Sequence, residues 1–243
     1  MKLILYFSIA VILLLLPSSA DAQDLSLALS DDGSLTARTV QLFALVTVLS
    51  LAPGLAIMVT CFPFIVTVLS ILRQAIGLQS SPPNMMIVSL ALFLTYFVME
   101  PVFTVAWQEG LEPFTNQQID VETAFSRTLA PFREFMALRI DPDTFFEMAA
   151  LRPDTAGTEL GPESPLSILI PSFLLSEISR AFQVGFLVFL PFLIIDLVVA
   201  AVLMSMGMMM VPPAIVSLPF KLAFFVVADG WSLIAGSLVR SYF

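Results

Sequence analysis

Residues 204–213 read MSMGMMMVPP, a methionine-rich stretch that ends in a pair of prolines. Long apolar runs lie on both sides of it, at roughly residues 181–203 and 214–228. A proline pair ends a helix and a glycine loosens one, so the stretch predicts a bend between two buried segments. We therefore expect a helical hairpin with a methionine-rich loop at its tip. The predicted loop breakers are Gly207, Pro212 and Pro213.

Five of the seven residues of this loop, 204–210, are methionines. Thioether side chains are unbranched, apolar and deformable, so they fill irregular gaps and repack around whatever touches them. We interpret the loop as a soft seal in a membrane-embedded passage. The plainer alternative is that the methionines fill gaps in a core. The five are Met204, Met206, Met208, Met209 and Met210.

Composition places the chain in a membrane. Of its 243 residues, 58% are hydrophobic and 12% are charged, with a mean hydropathy of +0.98. A soluble domain is about half apolar and about a quarter charged. The absence of histidine excludes Ser–His catalysis and His-ligated zinc. The single cysteine, Cys61, excludes an intrachain disulfide, and the net charge of −9 argues against nucleic acid as a partner.

The first residues have the pattern of a secretion signal. Lys2 is followed by apolar residues 3–16, and Ala20-Asp21-Ala22 supplies a small-x-small cleavage site. We expect residues 1–22 to be a cleaved signal peptide, because the apolar run is short for a membrane span. A polar N-terminal segment, residues 23–39, would then begin outside the cytoplasm.

A first apolar helical block is predicted over residues 40–107. Pro53-Gly54 should break its first run, and Pro63 should kink it again, giving either a short helix and a longer one or a hairpin. A second helix is expected from about Asn84 to Trp107, interrupted at Glu100-Pro101.

The segment 108–164 differs sharply, with eleven Asp or Glu residues and four Arg. Its apolar spacing predicts short helices near 121–138 and 142–151. Because Lys and Arg set membrane orientation and are scarce here, we expect an acidic periplasmic region. The last block, 165–243, returns to apolar sequence. Four crossings would leave both termini on the periplasmic side.

Ionisable residues inside that last apolar block are unusual, because a charge at the bilayer centre costs about 2.5–3.5 kcal/mol. Such residues pair, face protein or line water. Glu177 and Arg180 are spaced for a pair on one helix face, and Lys221 is the available counter-ion for a carboxylate. We expect structural ion pairs, with a proton or ion relay as the alternative. The residues are Glu177, Arg180, Asp196, Lys221 and Asp229.

Three other functions fit the sequence less well. An intramembrane aspartyl protease would need two facing aspartates, but Asp196 and Asp229 lack the usual Gly-x-Gly-Asp setting. A copper(I) site of Met204, Met206 and Met208 is chemically sensible but has no His or Cys nearby. A secondary transporter favours inverted repeats, and the two halves of the chain do not visibly match. We therefore predict no catalytic residues, no metal and no cofactor.

Four segments of the chain form a specific set: VTVLSILRQAIGLQSSPPN (66–84), LALFLTYFVMEPVF (90–103), SEISRAFQVGFLVFLPFLIIDLVVAAVLMSMGMMMVPP (176–213) and VSLPFKLAFFVVADGW (216–231). Together they resemble the FliP family, a component of the bacterial flagellar type III export gate. Injectisome homologues are similar around LPFK and DGW but usually lack the leader and the methionine stretch, so the flagellar family is preferred.

This resemblance implies an all-α membrane-associated fold of long kinked helical hairpins, assembled into a ring or helical channel in the inner membrane at the flagellar basal body. It implies five copies, with FliQ and FliR as smaller gate subunits. FlhB, FlhA and the basal-body ring would adjoin the gate, and unfolded flagellar proteins would pass through it. The methionine loop would close the pore. We expect subunits to pack through apolar faces and ion pairs, with Glu177–Lys221 the favoured pair.

Overall fold

The computed structural model describes residues 35–78, 82–208 and 210–243. The predicted signal peptide 1–22, residues 23–34 of the polar segment and Met209 lie outside the described residues. All regular structure within the described ranges is helical. The α-helices are α1 (Leu35–Met58), α2 (Phe62–Ile76), α3 (Asn84–Ala106), α4 (Glu112–Thr115), α5 (Val121–Arg139), α6 (Pro142–Ala150), α7 (Leu166–Ser205), α8 (Pro213–Val227) and α9 (Gly230–Arg240).

The first apolar run breaks later than the sequence predicted. Helix α1 continues through Pro53-Gly54, and the break falls between Met58 and Phe62. Pro63 does not kink a helix, because it occupies the first turn of α2, where a missing backbone N–H costs nothing. The chain divides into two compact units between Pro53 and Gly54. The methionine stretch and the ionisable residues of the last apolar block lie in the second unit, Gly54–Phe243.

Helix α3 also continues where an interruption was expected. Pro101 lies inside it, and the helix runs on to Ala106 before a π-helical turn at Trp107–Leu111. A proline removes one backbone hydrogen bond, whereas ending the helix in apolar surroundings would leave several polar groups unsatisfied. The interruption therefore appears later, at the π turn.

The acidic region contains the two helices that its periodicity predicted, α5 and α6. Asp141 caps α6 through its side chain, which accepts a hydrogen bond from the backbone N–H of Thr144 at 3.0 Å. Buried apolar residues of both helices pack against the first part of α7. This second core consists of Met136, Ile140, Phe145, Ala149, Ile168, Leu169 and Phe173.

Helix α7 has 40 residues and is continuous through Pro171 and Pro191. At about 1.5 Å per residue, it extends roughly 60 Å, about twice the hydrocarbon core of a bilayer. It packs most extensively against α2, whose apolar side chains between Phe64 and Ile76 are largely buried. The approach is tight at Gly185, where an added Cβ would lie 2.4 Å from Cδ1 of Ile71.

Two described helical stretches are long and apolar enough to cross a membrane, namely Asn84–Thr115 and Leu166–Ser205. Two bent pairs raise the number to four if each pair forms one span: Leu42–Met58 with Phe62–Ile76, and Pro213–Val227 with Gly230–Arg240. The protein is thus an all-α membrane protein with long apolar helices, as the sequence predicted.

Candidate functional site

The methionine loop (residues 204–210) begins inside α7 and turns the chain through a Schellman motif. The N–H of Gly207 donates to the carbonyl of Met204 at 3.0 Å, and the N–H of Met208 donates to that of Leu203 at 3.0 Å. Gly207 has φ of +76°, the left-handed conformation that this motif requires and that glycine adopts without strain. Gly207 therefore ends α7 in a defined turn and does not merely loosen it.

The methionine side chains have little packing within the chain. Met204 and Met206 are 61% and 66% exposed, Met208 is 42% exposed, and Met210 is 97% exposed. Pro212 then precedes α8, and Pro213 occupies its first position, so the helix restarts immediately after the loop. This exposure argues against gap-filling within the chain, because a thioether that fills a core is covered by its neighbours.

The loop adjoins an apolar groove between α7 and α8, with a volume of about 540 Å³. Met206 and Met208 form one end of its lining, and Phe220 of α8 lies in it as well. Every lining side chain is apolar. The hairpin tip therefore presents a continuous apolar surface made from the loop and the two helices that carry it.

Below this tip, Lys221 connects three helices. Its ammonium donates to Oδ2 of Asp196 on α7 at 2.6 Å and to the carbonyl of Ala75 on α2 at 3.1 Å. The hydroxyl of Ser217 donates to Oδ1 of Asp196 at 2.5 Å. We call this group the Lys221 centre. It holds the two legs of the hairpin together and attaches them to α2, which fixes the position from which the loop projects.

A second charged group surrounds Glu177 of α7, which is completely buried. Its Oε1 lies 3.0 Å from Nε of Arg139, 3.0 Å from Nη2 of the same residue and 3.4 Å from Nη1 of Arg180. The phenol of Tyr242 donates to Oε2. This is the Glu177 centre. Three residues donate to or pair with the buried carboxylate of Glu177, and these interactions offset the cost of removing its charge from water. The carboxylate can therefore lie among apolar helices.

Tyr242 follows α9 and lies outside the candidate spans. Burial, followed by the negative charge of Glu177, raises the pKa of its phenol above the usual value. The hydroxyl thus stays protonated at neutral pH and remains a hydrogen-bond donor to the carboxylate.

Glu177 and Lys221, the pair favoured from the sequence, do not pair with each other within the described part of the chain. Within the chain, Glu177 pairs with Arg139 and Arg180, whereas Lys221 pairs with Asp196. Arg180 also lies within ion-pair distance of Glu177, at 3.4 Å, and Lys221 lies 2.6 Å from Asp196. A Glu177–Lys221 pair between neighbouring subunits stays a prediction.

Asp229 does not form the predicted ion pair within the described residues. It is exposed at the break between α8 and α9, where its carboxylate accepts a hydrogen bond from the hydroxyl of Ser232 at 3.1 Å. The helices bend by 62° there, and Asp229 itself adopts φ of +47°.

Sequence reasoning missed Arg139, Tyr242 and Ser217. Arg139 is the last residue of an amphipathic helix in the acidic region, and it lies 38 positions from Glu177 in the chain. Tyr242 is 65 positions from the same carboxylate. No local pattern marks such distant partners. The buried charge of Glu177 was the available signal, because it required donors that the apolar block itself could not fully supply.

Comparison with known proteins gives a consistent result. The FliP family model matches residues 45–238. The flagellar biosynthetic protein FliP of Caulobacter vibrioides is 50% identical over 238 residues, covering 96% of this chain and 88% of that protein. The protein of the same name from Agrobacterium fabrum is 47% identical over 95% of this chain and 96% of its own length. That from Bacillus subtilis is 45% identical, covering 88% and 96% respectively.

Proposed function

Because this chain belongs to the FliP family of flagellar biosynthetic proteins, we propose that it is the core channel subunit of the flagellar type III protein export gate. Membership makes it a component of the flagellar export apparatus. In the proposal, unfolded flagellar subunits cross the inner membrane through a pore that several copies of the chain line. The N-terminus and the acidic region lie on the periplasmic side.

The observation that carries the proposal is the exposure of the methionine loop at the tip of a braced hairpin. Copies arranged around an axis would bring the exposed side chains of Met206, Met208 and Met210 together. Flexible thioethers exclude water and ions at rest and deform around a passing chain of any sequence. A seal of fixed shape would either leak or block, because the substrates vary.

Assembly is supported by the apolar surface of α7. Phe182, Phe186 and Leu187 are each more than 60% exposed although they lie on one of the most apolar helices. Such a face requires lipid or protein against it. We propose neighbouring copies, five by family resemblance, together with FliQ and FliR. FlhA, FlhB and the basal-body ring are the proposed partners at the edge of the gate.

The seal is tested by replacing Met208, Met209 and Met210 with glycine in cells that assemble the gate. We expect increased ion leakage through the membrane while export of flagellar proteins continues, because glycine removes the apolar plug but leaves the passage open. Replacement by leucine keeps apolar volume but adds branching, so it should leak less than glycine. Conductance is measured with a membrane-potential dye or a halide-sensitive reporter.

The matched control replaces Met85 and Met86, which are exposed at the start of α3, with glycine. This control removes exposed thioethers elsewhere and should leave conductance at the wild-type level. Native electrophoresis verifies that the glycine variants still assemble. Unchanged conductance in an assembled Met208–Met210 glycine variant would contradict the seal.

A further inference from the structure

The segment after α9 folds back onto the Glu177 centre at two points. The carbonyl of Ser241 accepts a hydrogen bond from Nη1 of Arg139 at 2.9 Å, and the phenol of Tyr242 donates to Glu177. Arg139 therefore binds Ser241 with one nitrogen while its Nε donates to Glu177 at 3.0 Å. One guanidinium connects three separate parts of the chain.

The ring of Tyr242 is enclosed as firmly as its hydroxyl. Cζ of Arg139 lies 4.1 Å from the ring centroid, a cation–π geometry. Phe135 of α5 stacks on the ring at 6.1 Å, and Phe64 of α2 meets it edge-on at 5.7 Å. Tyr242, two positions after the end of α9, is thus inserted between α2 of the apolar core and α5 of the acidic region.

The rest of α9 has few attachments. It has 11 residues, of which only Gly230, Ile234 and Leu238 are buried, and the turn that precedes it is exposed at Asp229. Phe225, Ile234 and Leu238 of the α8–α9 arm (Pro213–Arg240) pack in the apolar core. Polar contacts to other helices hold its two ends, at the Lys221 centre near the methionine loop and at the Ser241–Tyr242 segment.

We propose that Arg139 and Tyr242 form a latch that locks the far end of the α8–α9 arm to the acidic region, so that α5 and α9 loosen together when it opens. The latch depends on the planar guanidinium of Arg139, and a positive charge alone would not replace it. A lysine at 139 could not donate to Glu177 and Ser241 in the same planar arrangement while stacking on Tyr242.

The test is hydrogen exchange, followed by mass spectrometry, on the purified full chain in detergent micelles. Arg139→Ala and Tyr242→Ala should each raise exchange at least about tenfold in α9 and in the last turns of α5, because hydrogen bonds to charged groups are among the stronger ones. The double variant should exceed the more severe single variant only slightly, since both residues belong to one interaction.

Arg240→Ala is the matched control. Arg240 lies two positions before Tyr242 in the chain and is exposed, and its Nε donates to the carbonyl of Gly236 in its own helix, at 3.1 Å. Its exchange pattern should match that of the wild type. Equal loosening in Arg240→Ala, or additive effects in the double variant, would overturn the latch.

Two milder variants keep the test decisive if the alanine variants do not fold. Tyr242→Phe retains the ring and loses only the hydroxyl, and Arg139→Lys retains the charge and loses the planar fork. Each should raise exchange in α5 and α9 at least threefold to fivefold. Wild-type exchange in both would overturn the proposal, whereas loosening confined to α5 and α9 supports it.

Discussion

The ammonium of Lys221 lies 2.6 Å from Oδ2 of Asp196 and also donates to the carbonyl of Ala75, so a single cation joins α7, α8 and the end of α2. Lys221 is buried, whereas the side chain of Asp196 is 31% exposed. This arrangement places the brace of the hairpin within the chain itself, some two turns from the methionine loop that it supports.

Replacing Lys221 with glutamine should destabilise the protein, because Asp196 loses its cation and the carbonyl of Ala75 loses its charged donor. We expect the free energy of unfolding to fall by about 1–3 kcal/mol. The loss should be in the lower part of this range if water reaches the partly exposed carboxylate of Asp196. Thermal unfolding of the purified chain measures the effect, at about 2–4 °C of Tm per kcal/mol for a chain of this size.

Charge reversals separate the pair inside the chain from the proposed pair between subunits. Asp196→Lys with Lys221→Asp should recover part of the Tm lost by either single reversal. Glu177→Lys with Lys221→Glu should instead recover part of the assembly lost by either single reversal, measured by native electrophoresis; recovery is partial because a lysine at 177 also faces Arg139 and Arg180. A Glu177/Lys221 double reversal that assembles no better than either single reversal rules out the intersubunit pair.

Gly185→Ala should weaken the packing of α7 on α2. An added Cβ would lie 2.4 Å from Cδ1 of Ile71 and 3.2 Å from its Cγ2, which is too close for one rotamer change to relieve. Overpacking costs about 1–3 kcal/mol, and the better helix propensity of alanine offsets about 1 kcal/mol of that. We expect a net decrease in Tm by thermal unfolding.

Ile71→Ala supplies the compensating change, because it removes both of the methyl carbons nearest to the new Cβ. The double variant Ile71→Ala/Gly185→Ala should be more stable than the sum of the single effects predicts. Strict additivity in this cycle would show that the two positions do not press against each other.

Asp141 should make the stability of the acidic region depend on pH. Hydrogen bonds from the backbone N–H of Thr144 and then from its hydroxyl lower the pKa of the Asp141 carboxyl in the folded protein. Because the pKa is lower in the folded protein, the ionised Asp141 side chain stabilises the fold at pH values above its unfolded-state pKa of about 3.9. This contribution to the free energy of unfolding is lost as the pH falls through the folded-state pKa.

Asp141→Asn retains a capping side chain without the titrating charge, so its Tm should lie below that of the wild type at pH 7 and approach it at about pH 3. Unfolding scans across this pH range measure the difference. Asp143→Asn, in the first turn of the same helix, controls for the loss of one negative charge there. A Tm difference for Asp141→Asn that stays constant across the range contradicts the assignment.

Short-range patterns predicted much of the fold correctly. The three- and four-residue spacing of apolar side chains in the acidic region predicted α5 and α6 to within one residue at most ends. The prolines were less informative. Pro53 and Pro101 lie inside helices that continue, because a helix in apolar surroundings satisfies its backbone better than a break does. Pro212 and Pro213 do not end a helix: α7 ends at Ser205, Gly207 turns the chain, and Pro213 begins α8.

The sequence alone determined the all-α membrane class, the position of the methionine bend and the presence of charges that needed partners, because composition and residue order act locally. Only the tertiary structure decided which charges meet. Lys221 and Asp196 are 25 positions apart, and Arg139 and Glu177 are 38 apart. Packing brings such residues together: α7 lies against the acidic region, α2 and α8, so the carboxylates of Glu177 and Asp196 take the donors that these neighbouring helices place within reach.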